Sequence, residues 1–470
     1  YQEEESAPED LAKIPVLRRE DITRETAPIY NTEMDADGVK MVHHNVETNG
    51  IGYVTLMFDL SGIEEKMLPY VGILQSVLGI IDTTNYEYGA LFNEINVHTG
   101  GIGTSLELYA DVTKVKEKEF RATFEMKGKV LYPKMDVLFS MMREILMESK
   151  LDDEKRLKEI IAMLRSRLQM SFLSSGHTTA ALRALSYTSP IAKFKDDTDG
   201  IGFYEVVKAI EEDFDGHKAE LIRNLKDISS KIFRKDNLMI SYTSAEQGLE
   251  PMQSAFRAVK DSFNRGAEDE GPLNTGGHSD TGLHAAEKSA ETACVIHCRK
   301  RNEGFKTSSK VQYVARAGNF IDGGAEYTGA LQILKVILSY DYLWQNVRVK
   351  GGAYGCMSNF NRIGEGYMMS YRDPNLEKTM EIYEGVVDYL ENFNVDDRDM
   401  NKFIIGTISN MDRPMNPAAK GSRSMNLYMN HVTEEMIKEE REQILTAGQN
   451  DIRALSKVLR AMLDAGQICV

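Results

Sequence analysis

A chain of 470 residues in which 42% are apolar and 27% charged has the composition of an ordinary folded protein, which excludes the disordered, collagen-like and disulfide-framework classes. Its length exceeds one ordinary hydrophobic core and fits two large domains. The net charge of -16 speaks against a nucleic-acid surface, which needs a basic footprint, while long-range steering by an acidic protein favours cationic peptides.

About 30 polar residues open the chain. Two strands follow, KMVHHN and GYVTLMFDL, the second with apolar residues at every other position. Leu68, Val71, Leu74, Leu78 and Ile81 then recur at helical spacing and form one stripe. GIGTSLELYADV and EFRATFEMKGKV read as strands, PKMDVLFSMMREILMES as a helix, and DDEKRLKEIIAMLRSRLQM as a long helix. Helical segments up to about residue 232 precede a short strand, NLMISYT. Between Gly266 and Ser289 apolar periodicity disappears among glycines and short polar residues, which marks a domain boundary. Beyond it the order recurs: strands ACVIHCRK and KVQYVARAGN, a helix with the stripe Tyr327, Leu331, Leu334 and Leu338, strands GAYGCMSNF and GYMMSYR, then helices to the end.

This recurrence is an internal repeat. LFNEINVHTGG (Leu91 to Gly101) parallels LWQNVRVKGG (Leu343 to Gly352), each ending in a glycine pair before a strand. LDDEKRLKEII (Leu151 to Ile161) parallels VDDRDMNKFII (Val395 to Ile405), and Asp396 and Asp397 suit a helix N-terminus. The fold expected is two copies of one α+β unit.

No stretch approaches the roughly 18 to 20 uncharged apolar residues that span a bilayer, and the opening lacks a basic-then-apolar signal pattern. No membrane association is expected. Four cysteines (Cys294, Cys298, Cys356 and Cys469) in so long a chain give no disulfide framework and fit a reducing compartment: the cytoplasm, or an organelle matrix if the source is eukaryotic. The non-methionine start at Tyr1 and the proline-punctuated opening YQEEESAPEDLAKIP read as a chain cut from something longer.

A helical zinc site needs two histidines one turn apart with a carboxylate, as in H-E-x-x-H or H-x-x-E-H. Neither pattern occurs among His43, His44, His98, His177, His217, His278, His284, His297 and His431. His43 and His44 are adjacent in a strand, face opposite sides and read as surface or pairing residues. In the run CVIHC, Cys294 and Cys298 share one face of an expected strand while His297 takes the other, so strand packing is the reading there. The glycine pairs suit turns or close backbone approach rather than phosphate cradles. What remains is RVKGGAYG. A glycine turn separates Arg348 from Tyr354, two side chains suited to donate to a peptide carbonyl or its developing oxyanion. The alternative from spacing alone has Arg348 complementing a helix C-terminus and Tyr354 packing in a sheet.

The segment LWQNVRVKGGAYG resembles the arginine and tyrosine segment of the presequence-protease branch (subfamily C) of the M16, or insulinase and pitrilysin, metallopeptidases. PEDLAKIPVLRREDI resembles the stretch that follows the helical hairpin between the two halves of such enzymes. The resemblance implies that this chain is the C-terminal half, with two homologous domains, each an antiparallel β-sheet with helices packed against it. Residues 1–30 would then be the linker from the upstream half, 31–265 the third domain of the full enzyme, 266–290 the interdomain linker and 291–470 the fourth domain. It implies that zinc and the glutamate base belong to the N-terminal half, the chain's partner, and that unstructured peptides are the substrates, degraded inside a closed chamber. Arg348 and Tyr354 would bind the substrate carbonyl or oxyanion across that chamber. VGILQ (Val71 to Gln75) stands where the family's H-x-x-E-H would lie. This chain alone is therefore expected to hold no metal and to be inactive. A non-catalytic M16-like binding or assembly subunit is the alternative, and an unrelated module that binds peptides at a sheet edge is a third reading.

Overall fold

The computed structural model describes residues 7–11, 13, 17–264 and 296–470. After a short helix α1 (Pro8–Leu11), the first unit builds a six-stranded sheet. Its strands are β1 (Thr32–Ala36), β2 (Val39–Asn45), β3 (Ile51–Asp59), β4 (Ile102–Ala110), β5 (Phe120–Leu131) and β6 (Leu238–Ser244), in the order β1-β2-β6-β3-β5-β4. All neighbours are antiparallel except β2 and β6, which run parallel. The alternation read in β3 places Val54, Leu56 and Phe58 in the core. Against them lie α2 (Leu68–Val77), α4 (Met135–Met147) and α9 (Leu249–Val259), while α3 (Tyr88–His98) buries only Leu91 and Ile95. Three further helices, α6 (Pro190–Asp199), α7 (Ile201–Glu212) and α8 (Phe214–Ile232), lead into β6.

The second unit has β7 (Ala315–Asn319), α10 (Ala330–Tyr340), β8 (Gly355–Phe360), β9 (Glu365–Tyr371) and β10 (Gln467–Cys469). Its sheet order, β10-β7-β9-β8, reproduces β6-β3-β5-β4 of the first strand for strand. The repeated glycine pairs occupy the same place in both units, between a helical segment and the edge strand β4 or β8, and the second glycine has positive φ in each (Gly101 +111°, Gly352 +82°). The strand reading of the second unit is corrected in two places. Ile296–Lys300, expected in a strand, has no regular structure, and of KVQYVARAGN only Ala315–Asn319 forms a ladder strand. The boundary segment lies outside the described residues.

Helix α5 (Glu154–Ser186) is longer than its apolar pattern foretells. Asp153 caps it by accepting from the Arg156 amide, and the helix kinks at Ser175, which has non-helical φ of -130°. Before the kink Leu157, Ile161 and Leu164 join the first core. After it Ala180, Ala181 and Ala184 pack on Tyr313, Ala315, Ala317 and Met369 of the second sheet. The second unit makes the converse contribution. There the repeat is broken into α13 (Asp397–Met411), capped by Asp396, and α14 (Pro417–Met429), capped by Asn416. Met425 and Met429 of α14 cover Val42, Met57 and Tyr109 on the first sheet. Each unit thus lends a helix to the other's sheet. Close approach demands glycine at both crossings: a Cβ on Gly176 would lie 2.3 Å from the Tyr313 ring, and one on Gly421 1.8 Å from Thr243 Oγ1.

The remaining helices of the second unit are α11 (Glu377–Glu384), α12 (Val386–Glu391), α15 (Glu434–Thr446) and α16 (Gln449–Ala465). The segment read as a linker is bonded along them. Arg19 donates to Asn401 and to the Ala447 carbonyl. The Tyr30 amide donates to Ser424 Oγ at 3.0 Å. Arg441, fully buried, donates to both Asp412 carboxylate oxygens at 2.8 Å and to the Thr23 carbonyl at 2.7 and 3.0 Å. A buried guanidinium satisfied in this way fixes the strap's path, because removing either partner leaves unpaired polar atoms.

His43 and His44 are not surface residues; both are buried on β2. They do face opposite sides. His43 Nε2 meets Ser244 Oγ at 3.1 Å, whereas His44 donates from Nδ1 to the Tyr30 carbonyl at 2.7 Å and lies 3.0 Å from Ser241 Oγ through Nε2. Burial lowers the His44 pKa from the ordinary 6.5 to about 4 and lowers that of His43 as well.

Two tests follow from this packing. Gly421→Val forces branched carbon into Thr243 and is expected to cost about 1–3 kcal/mol, read as a drop of several degrees in Tm; an unchanged Tm would show that α14 does not hold the first sheet at this point. In the second test, the unfolded chain takes up the His44 proton below pH 6.5 while the folded chain resists until about 4, so stability is full above 6.5 and falls as the pH drops. Urea unfolding at pH 5 should show roughly 2 kcal/mol less stability from this group than at pH 7.5, and His44→Gln should flatten that part of the slope.

Candidate functional site

The chain between α10 and β8 forms a π-helical turn, Trp344–Val349, in which the Lys350 amide reaches back five residues to the Gln345 carbonyl at 3.0 Å. Buried Leu343 and Val347 anchor it to the second core. Such local widening re-aims side chains and recurs at functional sites. Here Trp344 and Arg348 stand on the open side of the turn. The glycine pair then brings the chain back over it. A Cβ on Gly351 would lie 2.4 Å from the Val347 carbonyl, and Gly352 has the left-handed φ that glycine tolerates. The Asn375 amide fixes the Gly351 carbonyl at 2.6 Å, and the Tyr354 amide donates to the Tyr371 carbonyl at 3.0 Å, joining the turn to the start of β8.

This path brings Arg348 and Tyr354 together. Arg348 Nε donates to the Tyr354 main-chain carbonyl at 3.0 Å, and the guanidinium lies 3.9 Å from the centre of the Trp344 ring. The two terminal nitrogens of Arg348 and the Tyr354 hydroxyl make no hydrogen bond among the described residues. Tyr354 is 70% exposed, so its ring is not packed in the sheet, and Arg348 bonds a loop carbonyl rather than the end of a helix. Arg372, held at φ +49°, lies 5.8 Å from the Tyr354 ring centre. The result is a surface with several free N–H donors, a phenol and a second cation. That surface can receive a carbonyl oxygen or an anion. Burial pushes the adjacent Cys356 thiol up to about 11, which rules it out as a thiolate nucleophile near neutrality. Trp344 and Arg372 escaped the sequence reading, although the tryptophan lies one helical step before Arg348.

The segment Val71 to Gln75 lies within α2, where Val71 and Leu74 are fully buried in the first core. The Gln75 side chain donates to the Thr104 carbonyl at 3.2 Å. A Cβ at Gly72 would strike the Thr198 carbonyl at 2.3 Å. These residues do not fit a metal. Among the described residues there is no group of three or more His, Cys, Asp or Glu side chains able to hold one. His297 meets Glu65 through Nδ1 at 2.9 Å, Cys298 is half-buried with its thiol pKa raised by burial, and Cys294 lies outside the described residues. No described helix is long and apolar enough to cross a membrane.

Comparison with known proteins agrees with this architecture. The family described as associated with subfamily C of peptidase M16 matches residues 1–210, and the PreP C-terminal domain matches residues 302–470. Protein HypA of Clostridium perfringens is 35% identical over 98% of this chain and 45% of its own length. Presequence protease 1, chloroplastic/mitochondrial, of Arabidopsis thaliana is 28% identical over 99% of this chain and 41% of its own. The mitochondrial presequence protease of Yarrowia lipolytica is 25% identical over 96% and 43%. The chain thus spans less than half the length of these relatives. Among solved structures, a peptidase M16 inactive domain from Pseudomonas fluorescens superposes with a TM-score of 0.60 at 12% identity, covering 93% of this chain and 97% of that one. A conserved protein from Enterococcus faecalis gives 0.62 at 13%, covering 94% and 98%. With the two family matches taking up both ends of a chain whose two sheets repeat one topology, the protein belongs to the presequence-protease branch, subfamily C, of the peptidase M16 family and corresponds to its C-terminal half.

Proposed function

We propose that this chain is the substrate-holding half of a zinc metalloendopeptidase that degrades unstructured peptides, with the zinc and the base supplied by an N-terminal half. The observation that carries this reading is the pair itself: half-buried Arg348, fixed through Nε with its terminal nitrogens free, beside exposed Tyr354 with a free hydroxyl. In this role Arg348 donates to a peptide carbonyl and Tyr354 donates to the oxyanion that develops on it. The chain divides at 266–290 into an M16-like domain at 31–265 and another at 291–470, behind the linker of residues 1–30. The matching strand orders support that division. The compartments in the names of the plant and yeast relatives support an organelle matrix for a eukaryotic source, with the cytoplasm otherwise.

Peptidase activity on an unstructured peptide tests the proposal. The chain alone should be silent, and mixing it with an N-terminal half that carries zinc should give cleavage. Arg348→Ala and Tyr354→Phe should each lower turnover of the mixture about 100- to 1,000-fold. Cleavage by the chain alone that a chelator abolishes would place the metal site here instead. A mixture unharmed by both variants would leave a binding or assembly subunit as the function.

A further inference from the structure

An arginine at the protein surface carries about 2 kcal/mol of side-chain rotamer entropy, which works against a group that must meet a carbonyl in one orientation. In this structure the guanidinium of Arg348 is constrained on two sides. Its edge is tied through Nε to the Tyr354 carbonyl at 3.0 Å, and its central carbon lies 3.9 Å from the centre of the Trp344 ring. The two constraints differ in kind. The hydrogen bond anchors the group at one nitrogen, while the face of an indole attracts a cation and favours a guanidinium stacked along it. Trp344 is the only tryptophan in the chain; it is 37% exposed, and what sets it apart from exposed Phe92 at the matching place in the first unit is the guanidinium at its face. A cation over an indole is worth only about 0.5–1 kcal/mol at an exposed site, too little to explain the placement as stabilisation of the fold.

Resting on the reading of Arg348 given above, we propose that Trp344 is a positioning residue that sets the plane of the Arg348 guanidinium for the peptide carbonyl. The indole touches neither the scissile bond nor the nucleophile; it acts through Arg348. Loss of the plate leaves the hydrogen bond through Nε but frees rotation of the plane, so the effect falls on the transition state, where orientation counts most.

The test uses the mixture of this chain with a zinc-bearing N-terminal half. Trp344→Leu should lower kcat about 10-fold with little change in KM, and Trp344→Phe, which restores a flat ring under the cation, should recover most of that loss. In the background of Arg348→Ala, Trp344→Leu should cost nothing further, because a residue acting through Arg348 has nothing left to act on. Full-chain fluorescence gives a second measure: Arg348→Ala should shift the emission of the one tryptophan without changing the Tm. Equal, additive losses in the two backgrounds, or failure of Trp344→Phe to recover activity at an unchanged Tm, would overturn the positioning role. If Arg348→Ala itself leaves kcat untouched, the reading of Arg348 fails instead. If Arg348→Ala is damaging and Trp344→Leu is harmless, only the inference about Trp344 falls.

Discussion

A β-sheet has two faces, and in this protein neither sheet can cover both from its own unit. The first sheet is closed on one side by α2, α4 and α9, and on the other by α14 of the second unit. The second sheet receives the C-terminal part of α5 from the first unit. Apolar burial contributes about 25 cal/mol per Å² removed from water, so each unit separated from the other would expose a sheet face that the pair keeps dry. The exchange therefore makes the two units one folding problem. It also explains the glycines at the crossings, since a helix laid flat on a sheet reaches van der Waals contact only where no side chain intervenes, as at Gly176 and Gly421.

The N-terminal strap belongs to the same constraint. Arg441 holds Thr23 against α15, Ser424 of α14 bonds the Tyr30 amide, and the Tyr30 carbonyl accepts from His44 on β2. A single short path thus links the buried face of the first sheet, the helix that covers it and the chain that arrives from upstream. Movement of the strap would be transmitted to α14 and to a buried histidine that burial keeps neutral down to about pH 4.

Most of the element order was legible because periodicity reports burial. The alternation in β3 and the stripe from Leu68 to Ile81 both mark residues that the core takes up, although α2 ends at Val77 and Leu78 and Ile81 lie beyond it. The internal repeat was legible from two short segments, and the matched strand orders show how deep it runs. What escaped has a common cause: long-range contacts leave no local pattern. The second part of α5 has small residues where a core stripe would have large ones, because it lies on a sheet of the other unit. His43 and His44 read as surface or pairing residues because polar pairs on a strand usually are, whereas both are buried: His43 bonds Ser244 beside Tyr242 of the first core, and His44 bonds Tyr30 and Ser241 on the face that α14 and the strap cover. At the site, residue types brought Arg348 and Tyr354 forward as candidates, spacing left a structural role open, and the family resemblance supplied the functional one. They could not reveal that Arg348 turns toward the Tyr354 carbonyl, nor that Trp344 lies beneath it, because a π turn is not written in any apolar period.

The repeat itself separates scaffold from chemistry. Leu91 and Ile95 of α3 are the buried anchors that correspond to Leu343 and Val347, and exposed Phe92 and Val97 stand where exposed Trp344 and Val349 stand in the second unit. Apolar exposure at this turn is thus a property of the fold shared by both copies, and by itself marks no function. The difference lies in three features. Asn96 replaces Arg348 and bonds back to its own helix at the Phe92 carbonyl, 2.9 Å away. Gly103 stands two residues past its glycine pair, where the second unit has Tyr354. The run from buried anchor to glycine pair is one residue shorter in the second unit, Val347 to Gly351 against Ile95 to Gly100, and there the turn closes with the five-residue reach of Lys350 to Gln345 rather than the four-residue reach of Thr99 to Ile95. The shorter run goes with the wider turn, and Arg348 there faces the returning chain. An arginine there finds the carbonyl of residue 354 as its anchor, while an asparagine in the unshortened copy finds only its own helix.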